Sequence, residues 1–320
     1  MTASIEIQGL SKRFGPFTAV DDISFRVQSG EVLGFLGPNG AGKSTTMKMV
    51  TGFLAPTSGR VSVCGHDVAT DARAAKRVIG YLPEGAPAYP DMTPESFLQF
   101  VAGMRGFRGA DVASRVQRAA ELADLRGVMH QRIETLSKGY KRRVGLGAAV
   151  LHDPPVLIMD EPTDGLDPNQ KHEVRQLIRG MARDKVIVLS THILEEVQAV
   201  CTRAIIIAQG RILADGTPAE LEARSPLHNA VLVELAPGVA RAREDLAALA
   251  GVQRVDEVPG HDGLQCLLVV PAGGRALAAD VARLAQGKGW PMQGLTVERG
   301  RLEEVFRSIT TGGADAGGAR

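Results

Sequence analysis

Apolar and polar residues alternate in the first stretch of the chain, through SIEIQGL (4–10) and again through ISFRV (23–27), which predicts two half-buried strands. The pattern then changes. SGEVLGFLG (29–37) is a short apolar strand that runs into a glycine turn and a helix start. PVLIMDEP (155–162) and KVIVLSTH (185–192) are unbroken apolar runs with polar groups only at their C-terminal ends, the form of strands covered on both faces. Between them Val174, Leu177, Ile178 and Met181 recur at helical spacing, giving a strand-helix-strand crossover and hence a parallel α/β sheet.

Residues 93 to about 150 carry helical patterns instead. Thr93 reads as an N-cap with Pro94 at the first helical position, and SRVQRAAELADLRGV (114–128) is an amphipathic run ending near Gly127. A helical insertion therefore interrupts the sheet, over about 88–150. From about residue 229 the periodicity restarts: strand AVLVEL, helix ARAREDLAALAG, strand VQRVDEV, turn PGHDG, strand LQCLLVV, helix RALAADVARLAQ, strand MQGLTVE. That βαββαβ order is the ferredoxin-like pattern of a small α+β domain. A last helix with Leu302, Val305, Phe306 and Ile309 on one face follows, and 311–320 reads as a disordered tail. The expected organisation is a first domain over 1–222, an accessory domain over 226–310, and the tail.

With 320 residues, 44% of them apolar, there is enough chain for two cores. A formal net charge of +1 calls for no nucleic acid and no anionic membrane surface. Cys64, Cys201 and Cys266 have no paired spacing and read as reduced thiols. The N-terminus lacks an apolar leader core and no window reaches the roughly 18 apolar residues of a membrane helix, so a soluble polypeptide is expected.

The chemistry begins at GPNGAGKST, which satisfies G-x-x-x-x-G-K-[ST] between a buried strand and a helix. Gly37, Pro38, Asn39, Gly40, Ala41, Gly42, Lys43, Ser44 and Thr45 form this loop, whose amides can face phosphate oxygens at the positive end of a helix. Lys43 is placed for the β and γ phosphates of a nucleotide, and Ser44 for Mg²⁺. A phosphate loop of this kind needs an acidic partner, and VLIMDEP supplies two. Asp160 is the expected Mg²⁺ partner, and Glu161 the candidate general base. His192, at the C-terminal edge of the next buried strand, lies where ligands bind open α/β sheets and is placed for the γ-phosphate.

IETLSKGYKRR (133–143) fits none of these roles. It holds Ser137 and Gly139 among the cations Lys138, Lys141, Arg142 and Arg143, with no metal ligand. Together with the loop, the acidic pair, GLD at 165–167 and the histidine, in this order over residues 5 to about 220, it makes the chain resemble the nucleotide-binding subunit of ATP-binding cassette (ABC) transporters. LSKGY looks like that family's signature, usually leucine-serine-glycine-glycine-glutamine. The resemblance implies a P-loop NTPase fold of the ABC type with a helical subdomain, and ATP hydrolysis coupled to transport. It also implies that Ser137 and Gly139 bind ATP held by another subunit, so that a second copy or a homologous chain completes each site head to tail. By the same resemblance Phe14 stacks on adenine, Asp167 communicates between the two sites, and Glu84 takes the glutamine-loop place, toward Mg²⁺ or water. The basic residues after the signature belong to its helix, with Lys138 read as solvated.

Lys138 and Tyr140 depart from the family's glycine and glutamine, Glu84 from its glutamine and Phe14 from a frequent tyrosine. More narrowly, the signature region and GYLPE look like ATPase components of ABC-2 type exporters, gliding-motility-like and multidrug-export-like. That resemblance implies an integral membrane permease as partner and a peripheral position at the cytoplasmic face of the cell membrane. The alternative is a soluble ABC ATPase acting on ribosomes or DNA, which predicts two cassettes in one chain, a long coiled coil or a strongly basic surface, none of which the sequence has.

Overall fold

The computed structural model describes residues 4–312 except Asp262. The chain divides into two units, Met1–Thr217 and Pro218–Arg320. In the first, β1 (Ser4–Phe14) and β2 (Phe17–Gln28) form a hairpin that continues through β4 (Ser58–Val63) to the short β5 (His66–Asp67), in the antiparallel order β2-β1-β4-β5. The predicted alternation holds here, with Ile5, Ile7 and Ile23 buried and Glu6 and Ser24 turned outward or to the margin.

The second sheet is the parallel one. Its order is β10-β9-β3-β8-β7-β6, comprising β3 (Val32–Leu36), β6 (Ile79–Leu82), β7 (Val156–Asp160), β8 (Val186–Thr191), β9 (Arg203–Ala208) and β10 (Arg211–Gly216); only β10 runs antiparallel to its neighbour. Every residue of β3, β7 and β8 is buried, as unbroken apolar runs require when both faces are covered. The sequence reading singled out neither β6 nor β9 as strands. Around the sheet lie α1 (Lys43–Val50), α2 (Ala72–Val78), α6 (Pro168–Met181) and α7 (Leu194–Val200). One core joins the two sheets through α1, with Ile7 and Val63 from the first, Met47 from the helix, and Phe35, Ile158 and Val188 from the second.

The helical insertion contains α3 (Pro94–Met104), α4 (Ala110–Leu122) and α5 (Lys138–Val150) around a separate core that includes Leu98, Val116, Leu125 and Val144. Thr93 caps α3 as expected: its Oγ1 accepts from Ser96 N–H at 3.2 Å while Ser96 Oγ accepts from Thr93 N–H at 2.9 Å. Helix α4 begins and ends earlier than its periodicity predicts. It stops at Leu122, and Asp124, with φ of +49°, turns the chain into a short 3₁₀ segment at Arg126–Val128.

The second unit has the elements α8 (Pro218–Glu222), β11 (Val231–Leu235), α9 (Ala242–Ala247), β12 (Val252–Val258), β13 (Gln265–Pro271), α10 (Ala278–Lys288), β14 (Met292–Val297) and α11 (Leu302–Gly312). Its sheet is antiparallel throughout, in the order β12-β13-β11-β14, over a core that includes Val231, Leu246, Leu267 and Val281. The unit starts before the 222–226 junction expected from sequence, because α8 packs with α11 and Ser225 Oγ donates to Glu304 Oε2 at 2.8 Å. Residues 311 and 312, assigned from sequence to a disordered tail, complete α11; the rest of that tail lies outside the described residues. No helix among the described residues is long and apolar enough to cross a membrane.

Strand β6 and α5 approach so closely at Gly80 that an added Cβ would stand 2.2 Å from Ala149 O. Gly80→Ala should therefore destabilise the protein by about 1–3 kcal/mol, read as a lower urea midpoint, since a main-chain carbonyl cannot swing aside.

Nearby, neutral His152 donates from Nε2 to Ile79 O at 3.1 Å while its Nδ1 is buried without a partner among the described residues. Burial, helped by Arg105, Arg115 and Lys185, holds its pKa down at about 4 from 6.5, against the pull of the Ile79 carbonyl. A folded pKa below the unfolded one contributes stability above pH 6.5 that is lost as pH falls toward about 4. The urea midpoint should fall less steeply over that window in His152→Gln than in the parent.

Candidate functional site

The phosphate loop owes its shape to close packing as well as to backbone freedom. A Cβ on Gly37 would meet Ile207 O at 2.4 Å, and one on Gly42, where φ is +103°, would meet Ala19 O at 2.5 Å. Gly40, with φ of +79°, instead has open space where a Cβ would go. Ala41 N–H closes the turn onto Pro38 O at 3.2 Å, and α1 starts at Lys43 with Thr46 N–H bonded to Gly42 O at 2.9 Å. Lys43 is 5% exposed and folds back over the loop, donating from Nζ to Gly37 O at 2.7 Å and Pro38 O at 3.1 Å. Burial pushes its pKa below the ordinary lysine value, while Glu161, Asp160 and Glu84 act in the opposite direction.

The acidic pair stands beside the loop. Asp160 closes β7, is fully buried, and accepts at Oδ1 from Ser44 Oγ at 3.2 Å and from Ser190 Oγ on β8. Its Oδ2 is buried and has no partner among the described residues. The next residue leaves the strand sharply: Glu161 has φ of +50°, and its N–H donates to both Ser190 O and Ser190 Oγ at 3.1 Å. Its side chain reaches His192, with Oε1 3.1 Å from Nδ1. A cleft of about 570 Å³ gathers Phe14, Asn39, Gly40, Gly42, Lys43, Ser44, Thr45, Glu84, Glu161 and His192 on one wall or another. Phe14 and Phe17, paired across the β1-β2 hairpin, are 49% and 61% exposed at its rim. Phe17 and Asp164 also line the cleft without having been singled out from sequence, although the spacing of the two phenylalanines in FGPF was visible there.

Ser137, Gly139 and Asp167 do not line this cleft. Ser137 caps α5, its Oγ accepting from Tyr140 N–H at 3.3 Å, and the first full helical bond runs from Lys141 N–H to Ser137 O. Helix geometry leaves the amides of Lys138 and Gly139 without a carbonyl four residues back. Gly139 packs on α6 so tightly that a Cβ would touch Gln170 Oε1 at 2.3 Å. Asp167 caps α6, accepting from Gln170 N–H at 2.9 Å.

The cations of the basic run are more engaged than its sequence implies. Lys138 is solvated as expected, its side chain 71% exposed, and also pairs with Asp164 at 3.0 Å, a contact that draws the Asp164 carboxyl below its usual range. Arg143 is buried between Asp124, at 2.6 Å, and Glu173. Lys141 donates to Glu134 O at 2.9 Å, and Arg142 is buried among main-chain carbonyls. A further residue has no signal in the sequence: Glu196, buried on α7, accepts from Thr191 Oγ1 at 2.7 Å and from Thr163 Oγ1, joining the segment after Glu161 to the one before His192. Burial raises its pKa above the ordinary carboxyl value, against the Thr191 hydrogen bond.

This geometry has close counterparts among known proteins. The family model described as ABC transporter matches residues 20–164. The chain is 39% identical over 248 residues to Nod factor export ATP-binding protein I of Paraburkholderia xenovorans (strain LB400), covering 77% of this chain and 81% of that one. It is 35% identical over 309 residues to the protein of the same name in Burkholderia orbicola (strain AU 1054), covering 96% and 97%, so that likeness runs through both units. Among solved structures, one described as the ATP binding subunit of an ABC transporter superposes with a TM-score of 0.63 at 32% identity, covering 68% of this chain and 91% of its own. A strand-loop-helix phosphate site facing an acidic strand end and a histidine, in a chain with these relatives, belongs to the ABC transporter family and is one of its ATP-hydrolysing, ATP-binding subunits.

Proposed function

We propose that this subunit works as half of a head-to-tail pair, with a second copy or a homologous ATPase subunit, and clamps two ATP molecules at the shared face. The observation that carries this reading is the separation within one molecule: the cleft gathers the loop, Glu84, Glu161 and His192, whereas the start of α5 with Ser137 and Gly139 stands outside it. Helix-start amides and a serine hydroxyl suit a γ-phosphate, and these are not among the groups that line this molecule's own cleft.

Within the cleft, Phe14 supplies a face for adenine, and the loop from Gly37 to Thr45 surrounds the phosphates. Two features fit a triphosphate with Mg²⁺: the open space at Gly40, which a side chain would fill, and the orphaned Asp160 Oδ2 beside Ser44. Ser44 and Asp160, with Glu84, would hold Mg²⁺, which when bound offsets phosphate charge. For hydrolysis, a water oxygen bonds to the γ-phosphorus as the bridging oxygen leaves with ADP, and Glu161 Oε accepts the water's proton. His192 holds that carboxylate through the 3.1 Å contact and offers its other ring nitrogen toward the γ-phosphate. Lys43 exchanges its carbonyl partners for phosphate oxygens, and Asp167, at the start of α6, faces the partner.

The domain division and the second unit belong to the same reading. A helical subdomain over about 88–150 lies within the ATPase domain, and the order β12-β13-β11-β14 supports a ferredoxin-like accessory domain used for packing, dimer support or regulation. Relatives named for Nod factor export support export as the direction; an integral membrane permease as the partner and a peripheral position at the cytoplasmic face of the membrane complete the reading.

Glu161→Gln should lower ATP turnover by about 100-fold or more, the usual size of a general-base effect. Because ATP then persists, the variant should elute as an ATP-dependent dimer in size-exclusion chromatography. Unchanged turnover refutes the base assignment, and a monomer that carries ATP refutes the pairing.

A further inference from the structure

Arg142 lies on α5, is 6% exposed, and pairs with no carboxylate among the described residues. Its guanidinium is given entirely to the main chain. Nη1 donates to Pro83 O at 3.0 Å, Nε to Pro162 O at 3.4 Å, and Nη2 to both Asp160 O and Glu161 O. One side chain thus holds three successive carbonyls at the end of β7 together with the residue that precedes Glu84.

The segment it holds is the strained one. Glu161 occupies a left-handed conformation that a glutamate rarely adopts, and its N–H is fixed from the other side by Ser190. Such a conformation persists only when the surroundings over-determine it. The planar fork of a guanidinium reaches several carbonyls at once, which a lysine ammonium cannot do in the same geometry. Burial lowers the Arg142 pKa, and Asp164, Asp160, Glu161 and Glu84 oppose that by favouring the cation.

We propose that Arg142 is a positioning residue for hydrolysis: it locks the Asp160–Pro162 main chain so that Glu161 is aimed into the cleft, and ties that aim to the placement of the helix serving the partner's nucleotide. The second half of this statement rests on the head-to-tail pairing. Arg142 and the Ser137–Gly139 start share one helix, so a shift of α5 as its start closes on the partner's phosphate is carried to the Glu161 and Glu84 segments of its own cleft.

The test uses full-length Arg142→Met and Arg142→Lys. Steady-state hydrolysis in Arg142→Met should fall by about tenfold or more, while the KM for ATP changes by less than about threefold, as misplacement of a group without loss of binding requires. Arg142→Lys, which restores the charge but not the fork, should recover only part of the loss. Mixed dimers then locate the effect. When Arg142→Met is mixed with Glu161→Gln, the mixed dimer has one competent base, in the Arg142→Met protomer, facing an intact α5 from the other. That mixture should hydrolyse ATP as poorly as Arg142→Met alone, and well below a mixture of parent and Glu161→Gln. Equality of the two mixtures overturns the proposal, as does wild-type turnover in either Arg142 variant. If Arg142→Met fails to fold, as circular dichroism would reveal, Arg142→Lys decides by the same measures. A Glu161→Gln protein that never dimerises with ATP sinks the pairing instead, and normal dimerisation with normal Arg142→Met turnover sinks this inference alone.

Discussion

The buried carboxylate of Asp160 is the tie on which the site depends. Fully removed from water, it costs several kcal/mol unless hydrogen bonds meet it, and Ser44 from α1 and Ser190 from β8 both donate to the same oxygen. Three chain segments far apart in sequence are thereby fixed at one point on the sheet edge. Each delivers a chemical group from a position beside its tie: Lys43 precedes Ser44, Glu161 follows Asp160, and His192 stands just beyond Ser190. The parallel order β3-β8-β7 makes this possible, because it puts the C-terminal ends of all three strands on the same edge.

The charges around that tie differ greatly in what they contribute. Lys138 and Asp164 form an ion pair with side chains 71% and 50% exposed, which on the usual scale is worth about 0–1 kcal/mol. Such a contact does not hold the 161–167 segment in place. Arg142 and Glu196 are buried, and removing either leaves polar groups unmet at about 1–3 kcal/mol apiece. The segment after Glu161 is therefore held from two sides by groups without solvent competition, Arg142 at the carbonyls of residues 160–162 and Glu196 at the Thr163 hydroxyl.

What could be read from the sequence follows from where the partners lie. The phosphate loop, the Asp160–Glu161 pair and His192 were legible because each sits at the end of a buried strand that its own apolar run announces. Thr93 was legible because its cap closes within three residues. Arg142 was not, since its carbonyl acceptors lie 18 to 59 residues away and main-chain acceptors carry no residue identity. Glu196 has no local signal because Thr163 is 33 residues distant. Strand β6 escaped for a different reason: it has four residues, one of them Gly80, too few to establish a period. The association of α8 with α11 joins segments about eighty residues apart and so leaves no local signal of where the second unit begins.

Gly139 joins the structural and functional readings of the signature. A Cβ on Gly139 would meet the tip of the Gln170 side chain, and one on Gly165, where φ is +71°, the tip of the Lys138 side chain, both of which are free to swing aside. Close contact at these two glycines sets the start of α6 against the start of α5. Asp167 and Ser137 cap those two helices, each through a bond to its own first turn. A partner's nucleotide that engages Ser137 acts at the start of α5. Buried Arg142, one turn further along the same helix, is a hydrogen-bonded route from there to Glu161 without solvent competition.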